Sequence, residues 1–292
     1  MSNAFEDKVV VITGAGKGLG RAYALHFATL GASVVVNNRR HEGEAEFSAD
    51  RVVGEIAAAG GKAVANYSAV EDPEAGNSLL VSALQNFGRL DCLIANAGVT
   101  EGRSFRKQTL EQFRDVLEIN LMGTVNVVHP IFRHLCEHGG GNIIFSTSSA
   151  GLFGEFGLPA YSASKAALIG LMRSLSLEGA PKNVQVNAIS PYAATQMTEE
   201  HLSLEISAAM APERVAPVVE WLASGVVSGE ILIAGGGHIA RARMQTTRAM
   251  PATDILAGDG QQLQRAVLDL EFDSAGENFQ QFMAVVRGRG DS

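Results

Sequence analysis

Short β-branched apolar runs alternate along this chain with longer stretches whose apolar positions recur at helical spacing. KVVVIT (8–13) is apolar almost throughout, the pattern of a strand covered on both faces. GLGRAYALHFATLG (18–31) then reads as a helix closed by Gly31. The alternation repeats, with further strands expected over ASVVVN (32–37), GGKAVAN (60–66), LDCLIAN (90–96), NIIFST (142–147), VQVNAIS (184–190) and EILIAGG (230–236). Helices are expected around 49–59, 73–87, 110–137, 158–178 and 212–223.

Seven strands interleaved with helices predict an α/β fold. Its form is a Rossmann-type doubly wound parallel sheet of about seven strands, in three αβα layers. Such sheets take ligands at the carboxyl ends of their strands, where the strand order reverses. No linker and no internal repeat divides the pattern. One dinucleotide-binding and catalytic domain over 1–240 is expected, with a C-terminal extension over 241–292 that packs on the same domain or on a partner subunit.

Composition narrows the function classes. The 292 residues are 46% hydrophobic, enough for a large core, and carry a formal charge of −8. Lysines and arginines are scattered rather than gathered on one face, which argues against nucleic acid as a partner. No apolar run reaches the roughly 20 residues that cross a bilayer. The first residues, MSNAFEDK, lack the basic and apolar regions of a signal peptide, and a cytoplasmic location is expected. Cys92 and Cys136 form neither a metal-ligand spacing nor a disulfide framework. The terminal RGDS reads as a frayed polar end.

Four local patterns carry candidate chemistry. TGAGKGLG follows the first strand and spaces Gly14, Gly18 and Gly20 as GxxxGxG, with Lys17 and Leu19 between them. A glycine-rich turn there lets backbone N–H groups approach a pyrophosphate at a helix N-terminus; the structural alternative is a plain tight turn. Asn96, Ala97 and Gly98 follow the fourth strand and are small enough for backbone to pass a flat ligand. Asn120 lies mid-helix, where its propensity is poor, so it either bonds outward or serves a site. PAYSASKAAL places Tyr161 and Lys165 on one helix face four residues apart, thirteen and seventeen residues after Ser148.

In this order, TGxxxGxG, NAG, a mid-chain Asn, a Ser after the fifth strand and YxxxK resemble the short-chain dehydrogenase/reductase family, over about residues 5 to 240. The resemblance implies hydride transfer between a nicotinamide cofactor and a substrate carbon, interconverting a secondary alcohol and a ketone. A free phenol has a pKa of about 10, so Tyr161 needs the Lys165 ammonium and an oxidised nicotinamide nearby to serve as the proton-transfer group. Ser148 would hold the substrate oxygen. The family implies that Asn120 holds a water linking Lys165 to solvent, and that Lys165 binds the nicotinamide ribose. A dinucleotide-binding regulator without turnover is the rival from another class, favoured only by loss of Tyr161 or Lys165.

Cofactor choice is read after the second strand. NAD-using members place an acid there to accept from the ribose hydroxyls. This chain has Asn38 followed by Arg39 and Arg40, with Lys17 in the glycine-rich loop. Asn38 does not repel a 2′-phosphate and Arg39 can pair with it, so NADP is the expected cofactor, with NAD possible. Ser68 stands where the family often has an Asp near the adenine. After the sixth strand, Pro191 and Thr195 are expected at the nicotinamide amide. Phe153 and Phe156 are candidates for the substrate pocket wall.

Within the family, FGEFGLPAYSASKAALIGL, PERVAPVVEWL and the tail after GGGHIARAR resemble the (3R)-hydroxyacyl-CoA dehydrogenase domain of the peroxisomal multifunctional enzyme and its bacterial relatives. That points to a 3-hydroxyacyl thioester or another bulky ketone as substrate. A carbonyl or 3-oxoacyl reductase of different range is the alternative. The family also implies a homo-oligomer, a dimer first and a tetramer second.

Overall fold

A computed structural model describes residues 5–40, 47–194, 204–252 and 265–287. The chain runs β1 (Val9–Ile12), α1 (Gly18–Thr29), β2 (Ser33–Asn37), α2 (Ser48–Ala58), β3 (Lys62–Asn66), α3 (Ala75–Phe87) and β4 (Cys92–Ala95). It continues through α4 (Leu110–Leu117), a π-helical turn (Glu118–Met122), α5 (Gly123–Glu137), β5 (Gly141–Ser146), α6 (Ser149–Phe153), α7 (Pro159–Gly179) and β6 (Val184–Pro191). Then come α8 (Leu204–Ala209), α9 (Ala216–Ala223), β7 (Ile231–Gly235) and β8 (His238–Ala242).

The eight strands form one sheet in the order β3-β2-β1-β4-β5-β6-β7-β8. Pairing is parallel from β3 through β7. The order reverses between β1 and β4, because the chain leaves β1 toward β2 and β3 and returns to the other side. Register places Ile12 level with both Val36 and Ile94, so the segments leaving β1 and β4 emerge side by side. That is the crevice where such sheets bind ligands.

Apolar runs on the strands are explained by helices on both faces. Val10, Ile12, Val34, Val36 and Ile94 pack with Phe27 of α1, Ile56 of α2 and Leu222 of α9. Val9, Val11, Val35, Leu93 and Ile143 on the opposite face are equally buried. They are covered by α3, α5 and α7, whose Leu79, Ile131, Leu135, Leu168 and Met172 are inaccessible to solvent. Each such side chain contributes roughly 1.5–3 kcal/mol on burial.

Two features go beyond the expected pattern. The sheet has an eighth strand, β8, whose HIARA sequence is mostly exposed and so carries no apolar run to announce it. Gly236 and Gly237, both at positive φ, make the tight turn that folds it back on β7. The expected helix over 110–137 is interrupted by the π-turn at Glu118–Met122, which inserts a residue into the helical ladder and puts Asn120 in the wide turn.

Two compact units divide the chain, Met1–Arg241 and Ala242–Ser292. The described part of the second holds a two-stranded antiparallel ladder, β9 (Gln245–Thr246) with β10 (Leu270–Glu271), and a helix α10 (Ala275–Val286). Ser274 caps α10 by accepting from Glu277 N at 3.2 Å. The terminal RGDS lies outside the described residues.

Candidate active site

The β1–α1 turn is built for close approach of backbone. Gly14 and Gly18 adopt φ of +64° and +52°, which side-chain-bearing residues avoid. A Cβ on Gly14 would lie 2.9 Å from Ala97 Cα, and one on Gly20 would overlap the Gly14 carbonyl oxygen. Lys17 precedes α1 in extended conformation with no side-chain cap. The first N–H groups of α1, those of Leu19 and Gly20 included, have no carbonyl behind them and face outward with the positive end of the helix dipole. This cradle fits a dinucleotide pyrophosphate.

Asn96 ties three strand ends together. Its Nδ2 donates to Thr13 O at 3.1 Å, and its Oδ1 accepts from Ser146 Oγ at 3.2 Å. Thr13 Oγ1 accepts from the Asn96 and Ala97 N–H groups, each at 3.0 Å. The floor of the crevice is therefore a fixed polar lattice rather than a flexible loop.

Asn120, Lys165, Tyr161 and Ser148 meet beside that floor. A Cβ on Gly98 would stand 3.1 Å from Asn120 Oδ1 and 3.4 Å from Lys165 Nζ, which places these three together. Asn120 is inaccessible; its Nδ2 donates to Val99 O at 2.9 Å and to Ser164 Oγ at 3.1 Å. Lys165 Nζ donates to Ser146 O at 2.8 Å and lies 5.7 Å from the Tyr161 ring centre. Ser148 begins α6, its Oγ accepting from Ala150 N at 3.2 Å.

Burial governs the charges here. It pushes Lys165 down to about 8. It also pushes the Tyr161 phenol above its ordinary value, against the opposing effect of a hydrogen bond with Ser148. The sequence led us to expect the ammonium and an oxidised nicotinamide together to draw the phenol down; burial within the chain pulls the other way and outweighs the Ser148 contact.

At the outer end of the crevice the Asn38 amide packs against the glycine-rich turn, its Cγ 2.8 Å from where a Gly16 Cβ would be, and donates to Ser48 Oγ at 2.8 Å. Arg39 Nη1 pairs with Glu71 Oε1 at 2.7 Å. Arg40 stacks over Phe47 and Tyr67, 4.6 and 4.3 Å from the ring centres. Ser68 bonds Ser78 Oγ at 2.8 Å through its hydroxyl, within a network of Asn37, Asn66 and Ser82.

Thus the structure gathers Gly14, Gly20, Asn96 and Ala97 at one point, and Gly98, Asn120, Lys165, Tyr161 and Ser148 at another. Pro191 ends β6 in register with Ala234, and Thr195 lies outside the described residues. Phe153 and Phe156 are exposed rather than wall residues of a closed pocket. Thr13, Ser146, Ser164 and Glu71 escaped the sequence reading. Thr13 and Ser146 had a signal, polar residues ending apolar strands. Glu71 had none, since its partner sits 32 residues away in the chain. Among the described residues no cluster of His, Cys, Asp or Glu could hold a metal ion, and no helix is long and apolar enough to cross a membrane.

Comparison with known proteins agrees with this geometry. The short chain dehydrogenase family profile matches residues 8–205. A short-chain type dehydrogenase/reductase of Mycobacterium tuberculosis is 40% identical over 242 residues, 81% of this chain and 85% of the relative. Peroxisomal multifunctional enzyme type 2 of Mus musculus is 40% identical over 249 residues, 83% of this chain but only 34% of that enzyme, so the chain spans about a third of its length. The crystal structure of a short chain dehydrogenase from Mycobacterium avium superposes with a TM-score of 0.78 at 36% identity, covering 89% of this chain and 96% of that one.

Proposed function

The chain belongs to the short-chain dehydrogenase family, and from that premise we propose that it is an NADP(H)-preferring oxidoreductase interconverting a secondary alcohol and a ketone. The observation that carries the catalytic part is the convergence of Ser148, Tyr161 and Lys165 beside the glycine cradle. When bound there, the nicotinamide cofactor supplies or accepts hydride.

The chain's own residues do the rest. Tyr161 donates the proton to the ketone oxygen and takes it back in the reverse direction. Ser148, whose hydroxyl acts on the Tyr161 phenol in the direction that lowers its pKa, orients the same oxygen. Lys165 is buried, held by Ser146 O, and stands on the Tyr161 face, where its charge favours the phenolate. Asn120 fixes the segment after β4 that carries Gly98 and Val99. The cofactor's outer phosphate would meet Arg39, and Asn38 offers no negative charge against it.

We assign a 3-hydroxyacyl thioester or another bulky ketone as substrate, supported by likeness to a peroxisomal multifunctional enzyme over 83% of the chain. The domain 1–240 would carry all of this chemistry, with 241–292 as a C-terminal extension. We place the protein in the cytoplasm, in keeping with its two unpaired cysteines, and as a homodimer. Oxidation of reduced nicotinamide, followed by absorbance over a panel of 3-oxoacyl-CoA and simple ketones with each cofactor, tests the reading. Binding of NADPH without turnover on any ketone would favour the regulatory alternative.

A further inference from the structure

The Arg39–Glu71 pair sits where cofactor choice is made. β2 and β3 run side by side with Asn37 level with Asn66, and Arg39 and Glu71 lie on the segments that leave their carboxyl ends. We propose that Glu71 is an internal stand-in for a phosphate on Arg39, and that this competition sets how strongly the chain selects NADP(H) over NAD(H). The proposal rests on the reading of Arg39 as the residue that meets the 2′-phosphate.

Three observations carry it. First, Arg39 Nη1 and Glu71 Oε1 stand 2.7 Å apart as an ion pair. A guanidinium presents the same fork to a carboxylate as to a phosphate, so the two anions compete for the same donors. Second, the carboxylate stands on anchored backbone. Asn126 Nδ2 donates to the main-chain oxygens of Val70 and Glu71, at 3.2 and 3.3 Å, so Glu71 cannot drift far from Arg39. Its Oε2 is shielded from solvent and bonds no described residue, so the carboxylate is oriented by Arg39 alone. Third, the neighbouring arginines are otherwise engaged: Arg40 is held between Phe47 and Tyr67, and Arg51 Nη2 donates to Gly16 O at 3.5 Å.

The consequence is asymmetric. A 2′-phosphate must either displace Glu71 or share the guanidinium beside a like charge, and both weaken binding. NAD(H), with a neutral ribose hydroxyl at that place, meets neither cost. Glu71 therefore narrows the preference that Arg39 creates. The family's usual acid for this discrimination follows the second strand; here an acid following the third would act on the same arginine.

Fluorescence titration of NADPH and NADH against wild type, Glu71→Gln, Glu71→Ala, Arg39→Ala and the Glu71→Gln/Arg39→Ala double variant tests this. Removing one repelling charge and releasing a half-exposed pair should tighten NADPH about three- to tenfold. NADH should change less than about twofold, and the gain should vanish without Arg39. If both Glu71 variants leave NADPH affinity unchanged or weaker while Arg39→Ala weakens it, the competition is wrong and the cofactor reading stands. If Arg39→Ala leaves NADPH affinity unchanged, Arg39 does not meet the phosphate, and both fall. Glu71→Ala keeps the test open should the Gln variant not fold, since the anchoring bonds to Asn126 involve only main-chain oxygens.

Discussion

Asn120 and Val99 exchange two hydrogen bonds, Asn120 Oδ1 accepting from Val99 N at 2.7 Å and Nδ2 donating to Val99 O at 2.9 Å. One side-chain amide thereby does what a strand neighbour would do for the backbone leaving β4. The second N–H of the amide goes to Ser164 Oγ, one residue before Lys165. Asn120 thus couples the segment of Gly98 to the helix of Lys165, which is a positioning role. The π-turn makes this possible by placing a polar residue inward at a point where a regular helix would turn it elsewhere.

Asn120→Ala should accordingly cost stability as well as rate. It leaves the partly buried Val99 N–H and C=O without their partner, at up to about 1–3 kcal/mol for each group that water does not reach. Guanidinium unfolding should show a midpoint well below wild type. A variant as stable as wild type would mean that this backbone finds other partners.

Tyr161→Phe should keep cofactor affinity and fold while kcat falls by about 10²–10⁴-fold, the range expected on losing a proton-transfer group. The Ser148 Oγ cap on α6 does not involve the phenol, so the fold should be kept. Steady-state rates with NADPH titrations on the same variant separate the two effects. Retention of most activity would rule Tyr161 out as the proton donor.

Arg39→Ala should weaken NADP(H) roughly tenfold or more, as for one charge-assisted hydrogen bond, with NAD(H) barely changed. The existing bond to Glu71 keeps the loss at the lower end of that class. Asn38→Asp should push the same way, by repelling the phosphate and accepting from ribose hydroxyls. Cofactor titrations on both variants decide it; a wild type that already prefers NAD(H) would make Arg39 a surface charge.

A homodimer should form, because α5 and α7 leave between them a groove of about 580 Å3 lined by Val128, Phe132, Leu171 and Leu175. Burying such apolar lining against a second copy is favourable at about 25 cal/mol per Å2. Light scattering at micromolar concentration should give twice the chain mass. A monomer there would contradict it, and a tetramer would mean that a second face is used.

How much of this was legible in the sequence follows from what each feature depends on. The apolar strand cores of β1, β2, β4 and β5 declare themselves, since a strand buried on both faces has no polar position to confuse its pattern. Gly14, Gly20 and the Tyr161–Lys165 spacing were legible because the local backbone, or one helix face, carries the constraint. β8 was not, being an exposed edge strand set by two glycines. Nor were the Asn120–Val99 bonds or the Arg39–Glu71 pair, which join residues that only the tertiary fold brings together. The upward push of burial on the Tyr161 phenol was not legible either: it depends on how much chain surrounds the phenol, and no motif records that.

Lys165 offers the sharpest test of the buried site. Its ammonium is fully enclosed, and burial lowers its pKa from 10.5 to about 8. Unfolded, the lysine keeps its proton up to the ordinary value; folded, it gives the proton up near 8. Below that point both states are protonated, and folding bears the whole cost of enclosing the charge. Between about 8 and 10.5 the unfolded state binds more protons, so this contribution to stability rises with pH. The hydrogen bond to Ser146 O persists throughout, since ammonium and amine both donate. Replacing Lys165 by Met removes the titration and the bond together. The stability of wild type measured relative to Lys165→Met should therefore climb by roughly 2–3 kcal/mol from about pH 7 to about pH 10. Urea unfolding of both proteins across that range isolates the effect, because the other titrating groups are common to the pair and cancel. A difference independent of pH would mean that water reaches Nζ in the folded chain and that the ammonium is not desolvated. The same burial makes the lysine a poor stabiliser at neutral pH, which is the cost expected if its charge serves the phenol beside it, as proposed.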